Sequence, residues 1–139
     1  MPKNKATAKL VENVCSTIDN SRTHKITCDL PPAKGGTDKG PTAYELAIMA
    51  LADCAVTIFA DVAKQSKIEV TNVEVTAEVE KPADSPTPTS AKMIVNISAK
   101  AREGLIKAAW RRTEAKCPVI KIFTESIPVE VELNLKAEE

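Results

Sequence analysis

The sequence predicts an α+β domain, with strands and helices in the order β-β-α-β-β-α-α-β. Two observations carry this prediction. Five stretches alternate apolar and polar residues, which is the period of a strand with one buried face. The longest apolar run, residues 46–63, has polar interruptions every fourth residue, which is helical spacing. Because the strands come in consecutive pairs, we expect an antiparallel sheet.

The composition predicts a single domain that spans residues 1–139. The chain is 43% hydrophobic and 27% charged, which suffices for a substantial core. It carries 19 Lys and Arg against 19 Asp and Glu, so no basic excess favours nucleic acid or an anionic membrane surface as a partner. The first ten residues lack the apolar core of a signal peptide, and we therefore expect a cytoplasmic protein.

The N-terminal part predicts a hairpin followed by a loop. Residues 6–18 form its first strand, residues 19–21 its turn and residues 24–30 its second strand. Each strand has one apolar face, made by Ala8, Leu10, Val14 and Ile18 on the first and by His24, Ile26, Cys28 and Leu30 on the second. We interpret Cys15 and Cys28 as small buried hydrophobes. The Pro- and Gly-rich residues 31–41 predict a loop with unusual backbone angles or a close backbone approach.

The central helix organises the chain. It should begin near Pro41 or Thr42, because proline fits the first turn of a helix. Its short length and its interruption by Asp53 and Asp61 argue against a bilayer span and favour a core helix. A helix that is apolar almost all round must be packed against other elements on every side. A chain of this size is too small to bury it fully alone. We therefore expect a homodimer.

The second half of the chain predicts a hairpin, two helices and a last strand. The hairpin strands turn one apolar face inward, formed by Val73, Val75, Ala77, Val79, Met93, Val95, Ile97 and Ala99. A helix from Gly104 has an apolar side with Leu105, Ile106, Ala109, Trp110, Thr113 and Cys117. Pro118 should end this helix and open the next. The last strand is expected to turn inward Val129, Val131, Leu133 and Leu135.

The cysteines are the candidates for chemistry. In a reducing compartment, four cysteines without a CxxC pair are expected to be free, catalytic or redox-active. Cys117 precedes the second of the two later helices, where the helix dipole favours a thiolate. Cys54 lies mid-helix beside Asp53, and burial and that carboxylate both disfavour a thiolate unless a cation lies against it. The candidate cations are Arg22, Arg102, Arg111 and Arg112. The cysteines and His24 lack the ligand spacing of a zinc site, so we expect no zinc.

Four motifs follow one another in a fixed order: Arg22-x-His24, GGTDKGP, YELAIMALADC ending at Cys54, and Cys117-Pro118-Val119. The ordered set resembles the OsmC/Ohr family of osmotically inducible and organic hydroperoxide resistance proteins, in particular its OsmC-like branch. The resemblance runs from about Arg22 to the C-terminal strand. It implies a two-layer fold, an antiparallel sheet with a long buried central helix, and an intertwined homodimer with active sites at the subunit interface.

The resemblance also implies an enzyme. Members of known activity are cysteine-based peroxidases that reduce organic hydroperoxides, with hydrogen peroxide as a further substrate, in oxidative stress defence. Cys54 matches the peroxidatic cysteine and Cys117 the resolving one. Arg22 matches the arginine that activates the thiolate, and Glu45 the carboxylate that positions this arginine. An external dithiol would reduce the disulfide that forms. The mechanism that the resemblance implies requires no metal and no organic cofactor. The alternative is a non-catalytic dimer that binds a small apolar or electrophilic ligand at the subunit interface.

The position of Glu45 leaves two arrangements open. In the hydroperoxidases the glutamate stands one residue earlier, where this chain has Tyr44. At about 100° per residue, the spacing from Glu45 to Cys54 puts the two on opposite sides of one helix. Either Glu45 precedes the regular helix, or it serves Cys54 of the partner subunit across a two-fold interface.

Overall fold

A computed structural model describes residues 3–138 and confirms the α+β class. The strands are β1 (Thr7–Glu12), β2 (Cys15–Asp19), β3 (Lys25–Cys28), β4 (Glu69–Glu80) and β5 (Ser90–Lys100). The helices are α1 (Ala43–Gln65), α2 (Glu103–Lys116) and α3 (Pro118–Thr124), with one 3-10 turn at Pro32–Lys34. The chain forms two compact units. The first comprises the residues up to Asp53 with Glu74–Asn96, and the second Cys54–Val73 with the residues from Ile97 onward.

The N-terminal sheet has three strands in the order β1-β2-β3, so the prediction of one strand over residues 6–18 is wrong. The chain reverses at Asn13, whose φ of 47° lies in the left-handed region that asparagine tolerates. Because apolar and polar residues alternate on both sides of this tight turn, the periodicity of the sequence does not reveal the turn. The hairpin predicted between residues 6–18 and 24–30 is confirmed in β2 and β3, with Thr17 opposite Thr27 and the turn at residues 20–24 instead of 19–21.

Both cysteines of this sheet are buried, as the sequence predicts, at 6% exposure for Cys15 and 5% for Cys28. In the β2–β3 ladder, Ser16 lies directly opposite Cys28. Directly opposed residues share a face of a sheet, and successive residues alternate between faces. Cys15 and Cys28 therefore lie on opposite faces of the sheet.

The loop of residues 31–41 approaches neighbouring backbone closely, as predicted. A Cβ on Gly36 would lie 1.9 Å from the Leu30 carbonyl oxygen, and one on Gly40 would lie 2.0 Å from that of Thr27. Only glycine therefore fits at these two positions. The predicted start of the central helix is also confirmed, because the Thr42 carbonyl accepts the first helical hydrogen bond from Leu46 N at 2.9 Å.

Within the described chain, α1 is not buried all round. Its buried side chains follow one stripe, formed by Leu51, Ala55, Phe59, Val62 and Ala63. Met49 is 54% exposed. The expectation that the run is too short for a bilayer is wrong on length, because α1 has 23 residues. By length and composition α1 could cross a membrane, which is equally true of core helices in soluble proteins.

The second unit packs around one cluster of buried side chains, formed by Phe59, Val62, Ala63, Ile68 and Ala109. Trp110 packs against this cluster, as predicted, with its ring centroid 6.3 Å from that of Phe59. Thr113 is fully buried and donates its hydroxyl hydrogen to the Ala109 carbonyl at 2.9 Å. The predicted apolar side of α2 is thus confirmed except at Leu105, which is 45% exposed.

Strands β4 and β5 form the predicted hairpin. Thr89 N bonds the Glu80 carbonyl at one end, and the Thr71 hydroxyl bonds the Ser98 carbonyl at the other, so the strands run antiparallel. The predicted last strand is wrong for the described chain. Its four apolar residues are 73–83% exposed, and the segment pairs with no strand of the described chain. These residues are Val129, Val131, Leu133 and Leu135. Alternating apolar and polar residues allow a segment to add to the edge of a sheet. The segment becomes a strand only when a neighbouring strand hydrogen-bonds to it.

Candidate active site

The second unit brings two of the predicted site residues together. Cys117 Sγ lies 2.7 Å from Cys54 Sγ, although the two cysteines are 63 positions apart in sequence. Both cysteines carry thiols. Cys117 is fully buried, and Cys54 is partly buried in the middle of α1. The only pair of cysteine sulfurs in contact within residues 3–138 is therefore the pair that the resemblance singles out.

Cys117 ends one helix and begins the next. Its amide donates to the Thr113 carbonyl at 2.9 Å, which closes α2. Its backbone is extended, with φ −73° and ψ 110°, as the residue before a proline prefers. Its sulfur accepts from Ile120 N at 3.5 Å and so takes the place of a capping oxygen at the start of α3. These contacts fix the backbone from which the sulfur extends.

Glu45 lies inside the regular helix, as the third residue of α1. The arrangement in which Glu45 precedes the helix is therefore wrong. Glu45 Oε1 accepts from Thr42 N at 2.9 Å, and Glu45 N donates to Thr42 Oγ1 at 3.0 Å. This reciprocal pair is a capping box. The Glu45 carboxylate therefore has a structural role, because it caps the first turn of α1.

Arg22 lies in the exposed turn between β2 and β3. Its amide donates to Asn20 Oδ1 at 3.0 Å, and Ser21 before it has a φ of 63°. Asn20 Nδ2 also donates to His24 Nδ1 at 2.9 Å, so His24 helps to hold the turn. Among residues 3–138, no ion pair joins Arg22 to Glu45. The roles given to Arg22 and Glu45 by the resemblance stay predictions.

Asp29 organises the loop before α1, and sequence reasoning missed it. It is 3% exposed, and its carboxylate accepts hydrogen bonds from Leu30, Thr37 and Lys39. Burial raises the pKa of Asp29, but the hydrogen bonds from the amides of Lys39, Leu30 and Thr37 and from the Thr37 hydroxyl together lower it below its ordinary value. The available signal was an aspartate directly before a Pro- and Gly-rich loop, a residue type that often accepts from nearby amides.

An open pocket of about 450 Å³ lies where this loop meets the first turns of α1. Its lining residues are Asp38, Gly40, Pro41, Glu45, Ile48 and Met49. Next to it, Lys39 Nζ lies 2.6 Å from Glu12 Oε1, and this hydrogen-bonded carboxylate raises the pKa of Lys39. Within residues 3–138, no three His, Cys, Asp or Glu side chains form a group that could hold a metal ion.

Fold and site together define a class: α+β proteins with one thiol on a long central helix and a second thiol at a Cys-Pro helix start. The sequence model of the family described as OsmC-like protein matches residues 36–132, and the chain belongs to this family. The match includes Glu45, Cys54 and Cys117, whereas Arg22 precedes it. No functionally curated protein shows significant sequence similarity to the chain.

Solved structures agree with this assignment. An OsmC-like protein from Mycoplasma pneumoniae superposes with a TM-score of 0.76 at 18% identity, over 90% of this chain and 89% of that one. An organic hydroperoxide resistance protein OsmC from Legionella pneumophila gives 0.59 at 19% identity, over 88% and 90%. Another organic hydroperoxide resistance protein, from Elizabethkingia anophelis, gives 0.60 at 16% identity, over 91% of each chain. At these identities the likeness concerns the fold.

Proposed function

We propose that the protein is a thiol-dependent peroxidase that reduces organic hydroperoxides through Cys54 and Cys117. The observation that carries this proposal is the 2.7 Å separation of their sulfurs. A disulfide has a sulfur–sulfur bond of about 2.05 Å, so a small side-chain movement suffices to form it. Membership in a family that includes organic hydroperoxide resistance proteins supports the choice of substrate.

The chemistry follows in two steps. The Cys54 thiolate attacks one peroxide oxygen, an S–O bond forms as the O–O bond breaks, and the leaving alkoxide takes a proton to become an alcohol. Cys117 then attacks the sulfur of the Cys54 sulfenic acid and displaces its oxygen as water, which leaves a disulfide. One hydroperoxide and two thiols thus give one alcohol, one water and one disulfide. An external dithiol restores the thiols by exchange.

Activation of Cys54 needs a group that favours the thiolate. The Cys117 thiol lies against the Cys54 sulfur and acts in this direction when it donates a hydrogen bond to a Cys54 thiolate. We assign the main share to Arg22, positioned by Glu45. Because Glu45 belongs to the regular helix, nine residues before Cys54, it faces away from that sulfur in the same chain. The pair would therefore serve Cys54 of the partner subunit in a homodimer.

A homodimer also accounts for exposed apolar surface. Met49 on α1 and the alternating apolar residues of the C-terminal segment, residues 127–135, are exposed in the single described chain. Soluble monomers rarely leave a run of large apolar side chains exposed, as residues 127–135 are. In the cytoplasm, where thiols stay reduced, such a dimer would keep both cysteines ready for peroxide.

The direct test is a peroxide-dependent thiol assay with cumene hydroperoxide as the substrate. Wild type should lose two thiols for each hydroperoxide reduced, and Cys54→Ser should lose none. Cys117→Ser should stop at the sulfenic acid, which dimedone traps. Cys28→Ala, which removes a cysteine outside the proposed redox pair, serves as the control and should behave as wild type. A wild type that consumes no hydroperoxide would contradict the proposal.

The second candidate function is the non-catalytic binding of a small apolar or electrophilic ligand. The open pocket beside Glu45, with Pro41, Ile48 and Met49 in its lining, is the observation that favours it. This function becomes the better account if wild type binds such molecules but leaves hydroperoxides intact.

A further inference from the structure

The turn between β2 and β3 carries Arg22, and hydrogen bonds to side chains fix its backbone. Asn20 Oδ1 accepts from Arg22 N at 3.0 Å and from His24 N at 3.3 Å. Asn20 N donates to the His24 carbonyl at 3.3 Å, which closes the turn. Ser21 has a φ of 63°, in the left-handed region, and its amide donates to Asp19 Oδ1 at 2.9 Å. The Asn20 side chain therefore holds the backbone at Arg22 and again two residues further on.

The guanidinium group of Arg22 has no anchor of its own within residues 3–138. The described chain gives it no ion pair, and the hydrogen bond of Arg22 there comes from its backbone amide. Lys3 and Lys5 line the same open pocket as Arg22, and their like charges repel the guanidinium. The position of this side chain is therefore set by the backbone of the turn.

The same hydrogen bonds determine the protonation state of His24. Because Asn20 Oδ1 accepts from two backbone amides, the Asn20 NH₂ group is the one that faces the imidazole, with Nδ2 at 2.9 Å from His24 Nδ1. An amide nitrogen only donates, so Nδ1 must accept. The imidazole is then neutral and carries its hydrogen on Nε2. A proton added to Nδ1 would face the NH₂ group and break this bond.

The surroundings of His24 place the turn beside the central helix. The imidazole lines a small cavity of about 150 Å³ together with apolar side chains of the sheet and of α1. These are Ile18, Ile26 and Leu46. Leu46 directly follows Glu45, so the turn lies next to the first turns of α1. Among the described residues that line this cavity, Asp19 is the other titratable group, and it faces the imidazole from β2.

We propose that Asn20 and His24 are positioning residues for the reaction. Asn20 holds the backbone of Arg22, and neutral His24 holds the Asn20 side chain in place. The inference rests on the proposed function, in which Arg22 activates Cys54 of the partner subunit. Loss of one hydrogen bond changes an equilibrium by about fivefold, so an unheld turn should present Arg22 to the thiol correspondingly less often. Protonation of His24 releases Asn20, and the activation of Cys54 should weaken in acid for this reason.

The first experiment measures the turn itself by NMR. At about pH 8 the nitrogen-15 shifts of wild-type His24 should show hydrogen on Nε2 and none on Nδ1. His24→Leu suits the apolar lining but accepts no hydrogen bond, and it should speed solvent exchange of the Arg22 amide by about fivefold. His24→Asn places an accepting Oδ1 where Nδ1 stands and should exchange as wild type does. Lys25→Ala, at an exposed position just after the turn, is the control.

The second experiment measures Cys54. At about pH 8, His24→Leu should slow alkylation of Cys54 by iodoacetamide about two- to fivefold, and His24→Asn should not. In an Arg22→Ala background, His24→Leu should have no further effect, because His24 acts only through Arg22. A side chain that merely stabilised the fold would act equally in both backgrounds.

A pH series separates His24 from the thiol. Histidine ordinarily changes its charge between about pH 5 and 8, whereas asparagine does not titrate. Wild type and His24→Asn should therefore alkylate at equal rates at about pH 8. At about pH 5.5 wild type should be about two- to fivefold slower than His24→Asn, although both carry the same Cys54.

Four results would contradict the proposal. They are a hydrogen on Nδ1 in wild type at pH 8, unchanged exchange of the Arg22 amide in His24→Leu, equal effects of His24→Leu with and without Arg22, and a constant rate ratio of wild type to His24→Asn across pH. Hydroperoxide turnover is measured separately. If Arg22→Ala slows alkylation of Cys54 and His24→Leu does not, this proposal fails and the proposed function stands. If both slow it while wild type leaves cumene hydroperoxide intact, the proposed function fails and this proposal stands.

Discussion

Ser16 lies directly opposite Cys28, which places Cys15 on the opposite face of the N-terminal sheet from Cys28 although both cysteines are buried. A disulfide cannot join Cys15 to Cys28 without backbone movement, because their two Cβ atoms point to opposite faces of the sheet. The four cysteines thus divide into two that are kept apart by a sheet and two whose sulfurs are in contact.

The first prediction concerns disulfide pairing. Mild peroxide should link Cys54 to Cys117 and leave Cys15 and Cys28 reduced, because only the former pair needs no backbone movement. Peptide mass mapping after alkylation of the remaining thiols measures this directly. Recovery of a peptide that joins Cys15 to Cys28 would overturn the assignment of the redox pair.

The second prediction separates two roles of Glu45. Glu45→Gln keeps a capping-box side chain but removes the charge, so stability should stay nearly unchanged while peroxide reduction slows. Thr42→Ala removes the cap and should cost about 1 kcal/mol of unfolding free energy. Urea unfolding and initial rates, measured on both variants, distinguish the roles. Equal rates for Glu45→Gln and wild type would leave Glu45 with the structural role alone.

The third prediction concerns activation by Arg22. Arg22→Ala should slow both peroxide reduction and alkylation of Cys54 by iodoacetamide near neutral pH, because less of the cysteine is thiolate. The fold should persist, since an arginine in an exposed turn contributes little to the core. Lys25→Ala, at an exposed position just after the same turn, is the matched control. If Arg22→Ala keeps wild-type rates in both assays, another cation activates Cys54.

The fourth prediction concerns acid stability. The folded-state pKa of Asp29 is lowered, so its stabilising effect is present above the ordinary value of about 3.9 and is lost as pH falls through the folded value. Asp29→Asn should therefore destabilise the protein most at neutral pH and weaken the acid dependence of its stability. Urea unfolding at a series of pH values measures both. Parallel stability curves for the variant and wild type would contradict this role of the carboxylate.

The fifth prediction concerns assembly. Wild type should sediment as a dimer at micromolar concentration, and Val131→Asp should shift it towards the monomer, because it places a charge on the exposed apolar face of the C-terminal segment. Glu132→Lys, on the alternate face of the same segment, should leave the dimer intact. A wild type that sediments as a monomer would remove the basis for a shared active site.

Sequence reasoning succeeded where the signal is local. Pro118 marks the junction of two helices, and Thr42 marks a helix start, because the chemistry of capping and of proline acts within one turn. It failed at Asn13, where the apolar alternation runs on through a tight turn, and at Asp29, whose partners Thr37 and Lys39 lie eight and ten residues further along the chain. Contacts of that kind depend on the path of the loop, which periodicity does not describe.

The C-terminal segment shows a different limit. Its alternation, from Val129 to Leu135, is typical of a strand, yet the described chain offers it no partner edge. Periodicity predicts which face of a segment is apolar. It does not predict whether the same chain or a second copy packs against that face.

With the proposed disulfide between Cys54 and Cys117, the stability of the chain would also depend on its oxidation state. A bond between these sulfurs would close a covalent loop between two positions that are 63 apart in sequence. Chain-entropy arguments give such a loop about 4 kcal/mol of stabilisation, because the unfolded ensemble loses conformations that the folded state never uses. Each catalytic cycle would then alternate between a looser chain and a tethered one, and the melting temperature itself would report which half of the cycle a sample occupies.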